Sequence, residues 1–177
     1  MLPFCPQRLH SEWGVSPIGN GVNTIYGGTR AHTKEGKVTG PSRYDYAELI
    51  AALWKLGADG ERMPTSHGIL DRALEGVQPS LPQAYREGLT FGMTSVGLRC
   101  FELPDILLAA QDALLTSEPN PTYLATEVTL SEGSARQIVV RNGLSTAKAR
   151  EIGKLLKASV DDLRQRWSIE GGQPVAA

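Results

Sequence analysis

A chain of 177 residues, 41% apolar and 21% charged, has the composition of an ordinary globular protein and not of a disordered chain, a collagen or a disulfide-rich scaffold. Its 18 basic and 19 acidic residues leave a formal net charge of −1, so overall charge does not attract DNA or an anionic membrane. The two cysteines, Cys5 and Cys100, lack the spacing of a metal or redox site. We therefore expect a cytoplasmic protein that has no metal or cofactor and does not enter a membrane.

The charges are unevenly distributed along the chain. Residues 1–129 contain 10 Lys and Arg against 14 Asp and Glu, whereas residues 130–166 contain 8 against 4. The C-terminal third is therefore the part that an anionic partner would bind.

The first 42 residues contain seven glycines and four prolines and show no helical period, which predicts an irregular arm. The first predicted helix begins at Asp45, with Glu48 completing a capping box, and ends at Gly57.

A second helix is predicted after a cap at Thr65 or Ser66, and Gly76 ends it. A short third helix is expected around Leu81 to Glu87. The following residues, 89–101, have too many glycines for a helix and enough Thr, Val and Phe for one or two strands.

From Pro104 onward the pattern predicts short, closely spaced helices. They span residues 105–115, 122–127, 132–141, 146–156 and 160–167. Three of them have a serine at the cap position, at Ser131, Ser145 and Ser159.

The helices predicted at 122–127 and 132–141 have the residue types that allow two helices to cross at a steep angle. The first needs an apolar residue followed by a small one, here Leu124 and Ala125, and the second presents Ala135 and Ile138 inward. This pattern predicts a helix-turn-helix in which residues 132–141 form the helix that enters the major groove of DNA.

The outward positions of that helix are polar or glycine, as DNA reading requires. Arg bonds guanine and Gln bonds adenine through paired hydrogen bonds, and a capped helix N-terminus attracts phosphate. The predicted DNA contacts are Thr122, Ser131, Glu132, Gly133, Ser134, Arg136, Gln137, Arg141, Asn142, Ser145 and Lys148.

The stretch from about Pro104 to Trp167 resembles the lambda-repressor and Cro-like, XRE-type helix-turn-helix domain. The residues that carry the resemblance are Leu124-Ala125, Leu130-Ser131, Asn142-Gly143 and the run 152–163. Two positions depart from the family: Thr129 stands where glycine is usual, and Pro121 replaces a phosphate-binding Gln, so that Thr122 would supply that contact.

The resemblance implies a mainly α protein that acts as a dimeric transcriptional repressor on an inverted-repeat operator. The expected organisation is an arm (1–42), a helical or α+β domain for dimerisation or partner binding (43–100), a five-helix DNA-binding domain (101–167) and a flexible tail (168–177). The domain boundary is expected between Phe91 and Leu103.

Two alternatives remain open. Residues 150–167 form a second possible helix-turn-helix, with Lys157 at the turn, but its second helix would open with Asp161 and Asp162, which phosphates repel. In the other alternative the chain is an antitoxin-like or phage-encoded interaction module that binds a protein through residues 1–100. Catalysis is not expected, because no nucleophile and base are identifiable.

Overall fold

The computed structural model describes residues 40–117 and 124–169, which fold mainly into α-helices, as the sequence predicts. In chain order the elements are α1 (Arg43–Gly57), β1 (Met63–Pro64), α2 (His67–Val77), a 3-10 turn (Gln78–Ser80), α3 (Gln83–Glu87), β2 (Phe91–Thr94), β3 (Gly97–Cys100), α4 (Leu103–Asp112), β4 (Ala125–Thr126), α5 (Glu132–Arg141) and α6 (Thr146–Ile169). Their apolar faces meet in one continuous core.

Helix α1 lies at the centre of this core. Residues on all of its sides are buried, among them Leu49, Leu53 and Trp54, and helices α4, α5 and α6 pack around it. The indole N–H of Trp54 donates to the carbonyl of Glu61 at 2.8 Å, so even the polar atom of this side chain has a partner.

The start of α1 differs from the prediction. The capping box is formed by Ser42 and Asp45, because the Ser42 Oγ accepts from the Asp45 N–H at 3.3 Å and the Asp45 carboxylate accepts from the Ser42 N–H at 2.8 Å. Asp45 is therefore the third helical residue and not the cap. The predicted end at Gly57 is confirmed.

Helices α1 and α6 cross where each has a glycine. A Cβ added at Gly57 would overlap the backbone of Gly153, and one added at Gly153 would overlap the carbonyl oxygen of Leu53. The two backbones therefore touch directly, which only glycine allows at both positions.

The predicted strands form a hairpin, with Phe91 opposite Cys100 and Thr94 opposite Gly97. Asp71 of α2 is completely buried and holds this hairpin: its Oδ1 accepts from the Cys100 N–H at 2.8 Å, and its Oδ2 lies 3.3 Å from the Arg99 Nε. Burial raises the pKa of the Cys100 thiol to about 12, so the thiol stays protonated.

The prediction of a helix at 122–127 is wrong for residues 124–127, which are the part of it that the structure describes. Ala125 and Thr126 are extended and pair antiparallel with Pro64 and Met63, and Val128 forms a β-bridge with Thr116. β-branched residues at three of the four positions 126–129 favour this extended backbone. Thr122 and the rest of residues 118–123 lie outside the described residues.

The break predicted between two C-terminal helices is absent. Helix α6 runs without interruption through Ser159, which is half-buried within the helix and caps nothing. No glycine or proline interrupts residues 154–167, and ion pairs Lys157–Asp161 (2.6 Å) and Asp162–Arg166 (2.8 Å) support the helix across the expected gap. The alternative helix-turn-helix within 150–167 is therefore excluded, and α6 includes the first two residues of the expected tail.

The domain boundary expected between Phe91 and Leu103 does not separate two cores. Leu103 and Ile106 of α4 are buried in the same cluster as the residues of α1. Residues 43–100 and 101–167 therefore share their hydrophobic interior. The predicted arm, except for its last three residues, lies outside the described ranges.

The glycine crossing gives a stability prediction. We expect Gly153→Ala to lower the free energy of unfolding by about 1–3 kcal/mol or more, because the added methyl overlaps α1 and outweighs the gain in helix propensity. Urea unfolding followed by circular dichroism measures this loss. Gly76→Ala is the matched control, because its Cβ would meet only the Ser159 Oγ at 3.8 Å. Equal stability of the two variants would contradict a backbone contact at Gly153.

Candidate nucleic-acid interface

Helix α5 has the boundaries and the orientation that the sequence predicts. It begins after Ser131, whose Oγ accepts from the Ser134 N–H at 3.0 Å, and it ends at Arg141. Ala135 and Ile138 are buried, as predicted. The six predicted outward residues are exposed: Glu132, Gly133, Ser134, Arg136, Gln137 and Arg141. Val140, which the prediction did not include, is also exposed, at 60%.

The described residues 124–131 contain no helix, so the helix expected directly before α5 is not formed there. Leu124 lies before strand β4 and is 53% exposed, instead of facing a helix crossing. Thr129, which stands where the family usually has glycine, does not have a positive φ. The predicted helix-turn-helix register is therefore wrong, although the outward face of α5 was correctly identified.

The chain instead makes a helix, a four-residue turn and a helix one element later. Asn142 to Ser145 connect α5 to α6, and Gly143 within this turn has φ +79°. The Leu144 N–H donates to the Val139 carbonyl at 2.9 Å, which closes the end of α5. A left-handed glycine in a short turn between two helices is typical of helix-turn-helix units.

Side chains at both ends of the turn hold it in place. The Asn142 amide donates to the Ile138 carbonyl at 2.9 Å, and its oxygen accepts from the Tyr85 hydroxyl of α3 at 2.6 Å. Ser145 caps α6, because its Oγ accepts from the Lys148 N–H at 3.2 Å. Asn142 and Ser145, both predicted as DNA contacts, therefore shape the turn.

The two helices present complementary inner faces to the core. Val139 of α5 and Ala149 and Ile152 of α6 are fully buried. On the opposite side of α6, Ala147, Glu151 and Lys154 are exposed at spacings of four and three residues. Apart from Ala147, the exposed face of the first turns of α6 is polar, with Lys148 beside Glu151 and Lys154, and the sequence prediction included only Lys148.

Ion pairs connect most of the charged groups on this surface. Glu132 pairs with Arg136 and with Arg150, Lys148 pairs with Glu151 at 3.0 Å, and Arg141 pairs with Glu48 of α1. Arg141 therefore contributes to the contact between α5 and α1 as well as to the surface charge.

The signal that sequence reasoning missed is short. Gly143-Leu144-Ser145 combines a left-handed residue, an apolar residue and a helix cap, and Ala149 and Ile152 follow at inward positions. The sequence pattern predicts Asn142-Gly143 as the end of a recognition helix, because it also predicts a first helix at 122–127, where the chain forms strand β4.

Comparison of the chain with protein-family models finds no match, and comparison with curated proteins and with solved structures finds no similar protein. None of the helices in residues 40–117 and 124–169 is long and apolar enough to cross a bilayer. In these ranges no three His, Cys, Asp or Glu side chains are grouped so that they could hold a metal ion. The functional interpretation therefore depends on the geometry of this chain.

The hydrogen bond from Tyr85 to Asn142, which holds the turn between α5 and α6, gives a pH-dependent prediction. Burial raises the pKa of Tyr85 from 10.0 to about 12, so its contribution to stability is complete below pH 10 and is lost as the pH rises through about 12. We expect Tyr85→Phe to lower the free energy of unfolding by about 1 kcal/mol at neutral pH through the lost hydrogen bond. The difference in free energy of unfolding between wild type and Tyr85→Phe should shrink between pH 10 and 12, as measured by urea unfolding at each pH.

Tyr44→Phe is the control for this comparison, because Tyr44 is an exposed tyrosine of α1. At neutral pH Tyr44→Phe should change the free energy of unfolding much less than Tyr85→Phe does, because the hydrogen bond that Tyr44 accepts from Arg43 is exposed. A free-energy difference between Tyr85→Phe and wild type that stays constant from pH 10 to 12 would contradict a raised pKa of Tyr85 in the folded chain. Cys100, whose pKa burial also raises, is present in both proteins.

Proposed function

We propose that this chain binds duplex DNA through the helix-turn-helix formed by α5, residues 142–145 and α6, with the first turns of α6 as the recognition helix. The observation that carries the proposal is the left-handed Gly143 between two helices whose inner residues are buried and whose exposed residues are mostly polar, with Val140 and Leu155 as apolar exceptions. The DNA-binding function predicted from the sequence is retained, and the recognition helix moves from α5 to α6.

The charge of this region supports the proposal. Residues 130–166 contain 8 Lys and Arg against 4 Asp and Glu, in a chain whose net charge is −1. Within α5, the turn and the first turns of α6, residues 132–154, the count is five Lys and Arg against two Glu. This local excess of cations in a near-neutral chain would supply the salt-dependent attraction to phosphates on which DNA binding depends. Lys154 makes no ion pair with any described residue and is available to a phosphate or a base.

In this arrangement the two helices have different roles. The exposed face of α6 would meet base edges through Lys148, Glu151 and Lys154. A lysine donates hydrogen bonds to guanine, and a glutamate accepts one from the amino group of cytosine. The first helix of such a unit crosses the sugar-phosphate backbone. Arg136 and Gln137 of α5 are therefore assigned to the backbone and not to bases.

Two lysines of α6 test the proposal. We expect Lys148→Gln and Lys154→Gln each to weaken binding to a labelled duplex by about 1–3 kcal/mol if the lysine contacts a base. If the lysine contacts a phosphate, the slope of log binding constant against log salt concentration should become shallower by about one. Fluorescence anisotropy over a series of salt concentrations measures both quantities.

Lys157→Gln is the matched control on the same helix. Lys157 lies 2.9 Å from Glu61 and 2.6 Å from Asp161, beyond the first turns of α6. Its variant should bind DNA nearly as wild type does. Equal losses in all three variants would mean that only net charge matters, and the absence of duplex binding by wild type would overturn the proposal.

We extend the proposal to a homodimer that represses transcription from an inverted repeat. A single DNA-binding unit covers only about 600–1,000 Å², and two linked units gain affinity by avidity. The β2–β3 hairpin is the candidate dimer contact: Met93 is 78% exposed, Val96 is 61% exposed, and β2 pairs only with β3 in the described chain. Met93 lies on β2 and Val96 lies in the turn that follows it. An unpaired strand edge with exposed apolar side chains nearby favours addition of another strand.

The hairpin contact is tested by a double variant. Met93→Asp with Val96→Asp should shift a dimer to monomer in analytical ultracentrifugation, because four charges would face each other across the twofold axis. Leu114→Asp, at another exposed apolar position, should leave the dimer intact. A dimeric double variant would exclude the hairpin. A monomeric wild type would exclude the homodimer and favour the interaction-module alternative, in which the hairpin binds another protein.

A further inference from the structure

One carboxylate joins the two helices of the proposed DNA-binding unit. The Oε1 of Glu132 lies 2.5 Å from the Arg136 Nη2 of α5 and 3.3 Å from the Arg150 Nη2 of α6. The other ion pairs of this surface differ in kind, because Lys148–Glu151 lies within α6 and Arg141–Glu48 connects α5 to α1. A single oxygen is therefore held between guanidinium groups from both helices.

The surroundings of this oxygen favour a negative charge. Glu132 is in the first turn of α5, at the positive end of the helix dipole and next to the cap Ser131. The hydrogen bond and charge of Arg136, followed by the charge of Arg150, hold the pKa of Glu132 below its usual value. The carboxylate therefore stays ionised and neutralises charge on the two arginines.

We propose that Glu132 occupies the position of a DNA phosphate and competes with it: when a duplex binds, a backbone phosphate replaces the carboxylate between Arg136 and Arg150. This inference rests on the proposed DNA-binding function and specifies how that surface is regulated within the chain. Glu132 lowers the affinity for all duplexes alike, so that binding depends more strongly on base contacts of α6.

The exchange requires little rearrangement of the fold. The side chains of Arg136, Glu132 and Arg150 are 52%, 54% and 43% exposed, so they can move without uncovering the core. Exposed ion pairs contribute little to stability, whereas arginine binds a phosphate through charge-assisted and frequently paired hydrogen bonds. A phosphate therefore competes effectively with the carboxylate once the duplex is close.

The test is duplex binding by Glu132→Gln, which keeps the size of the side chain and removes its charge. We expect roughly five- to tenfold tighter binding to specific and nonspecific duplexes alike, and a salt slope steeper by about one, because one more phosphate is neutralised. In an Arg150→Gln background the gain should be clearly smaller, which a double-mutant cycle measures. Circular dichroism verifies that each variant is folded.

Glu61→Gln is the matched control, because it makes the same change in net charge next to Lys157, which lies beyond the first turns of α6. If Glu132→Gln binds no better than Glu61→Gln while wild type binds duplex DNA, the competition is refuted and the proposed function stands. A gain that persists undiminished in the Arg150→Gln background also refutes it. If neither wild type nor Glu132→Gln binds duplex DNA at low salt, both the inference and the proposed function fail.

Discussion

The backbone contact between Gly57 and Gly153 sets the position of almost everything else in the described chain. Helix α1 is the element around which α4, α5 and α6 pack, and α6 is the longest of the described helices. Because the two backbones touch, no side chain between them can adjust their separation. The crossing therefore fixes where the first turns of α6 lie relative to the rest of the core.

This constraint bears directly on the proposed DNA-binding unit. The turn between α5 and α6 is held by the left-handed Gly143, by the hydrogen bond from Tyr85 to Asn142 and by the Ser145 cap. These contacts join the turn to α3 as well as to its own helices. A surface held in this way is preorganised, so binding does not require ordering of the two helices.

Local patterns made part of the fold predictable from the sequence. The bounds of α5, its Ser131 cap and its buried Ala135 and Ile138 follow from helical periodicity and capping chemistry within ten residues. The strand at 125–126 could not be found in this way, because its partner at 63–64 is distant along the chain and its own sequence has a small residue where a helix crossing would also need one. For the candidate site, the outward face of α5 was predictable, but its partner helix was not.

The shared core of residues 43–100 and 101–167 could not be predicted from the sequence for a related reason. Periodicity shows that a helix has an apolar face, but not which other helix covers it. Glycine at 57 was interpreted only as a helix end, although it also permits the approach of Gly153. A glycine in a helical pattern can therefore end the helix or allow a close backbone contact. Only the position of the distant partner helix distinguishes these two roles.

The central position of α1 has a consequence for the order of folding during synthesis. Its main packing partner, α6, is made about a hundred residues later, which at a translation rate of about 5–20 residues per second is a delay of several seconds or more. During this time Leu53, Trp54 and their neighbours have no covering from α6. Contacts so distant in sequence slow folding, and until α6 has been made the apolar face of α1 that it covers is open to contacts with other chains.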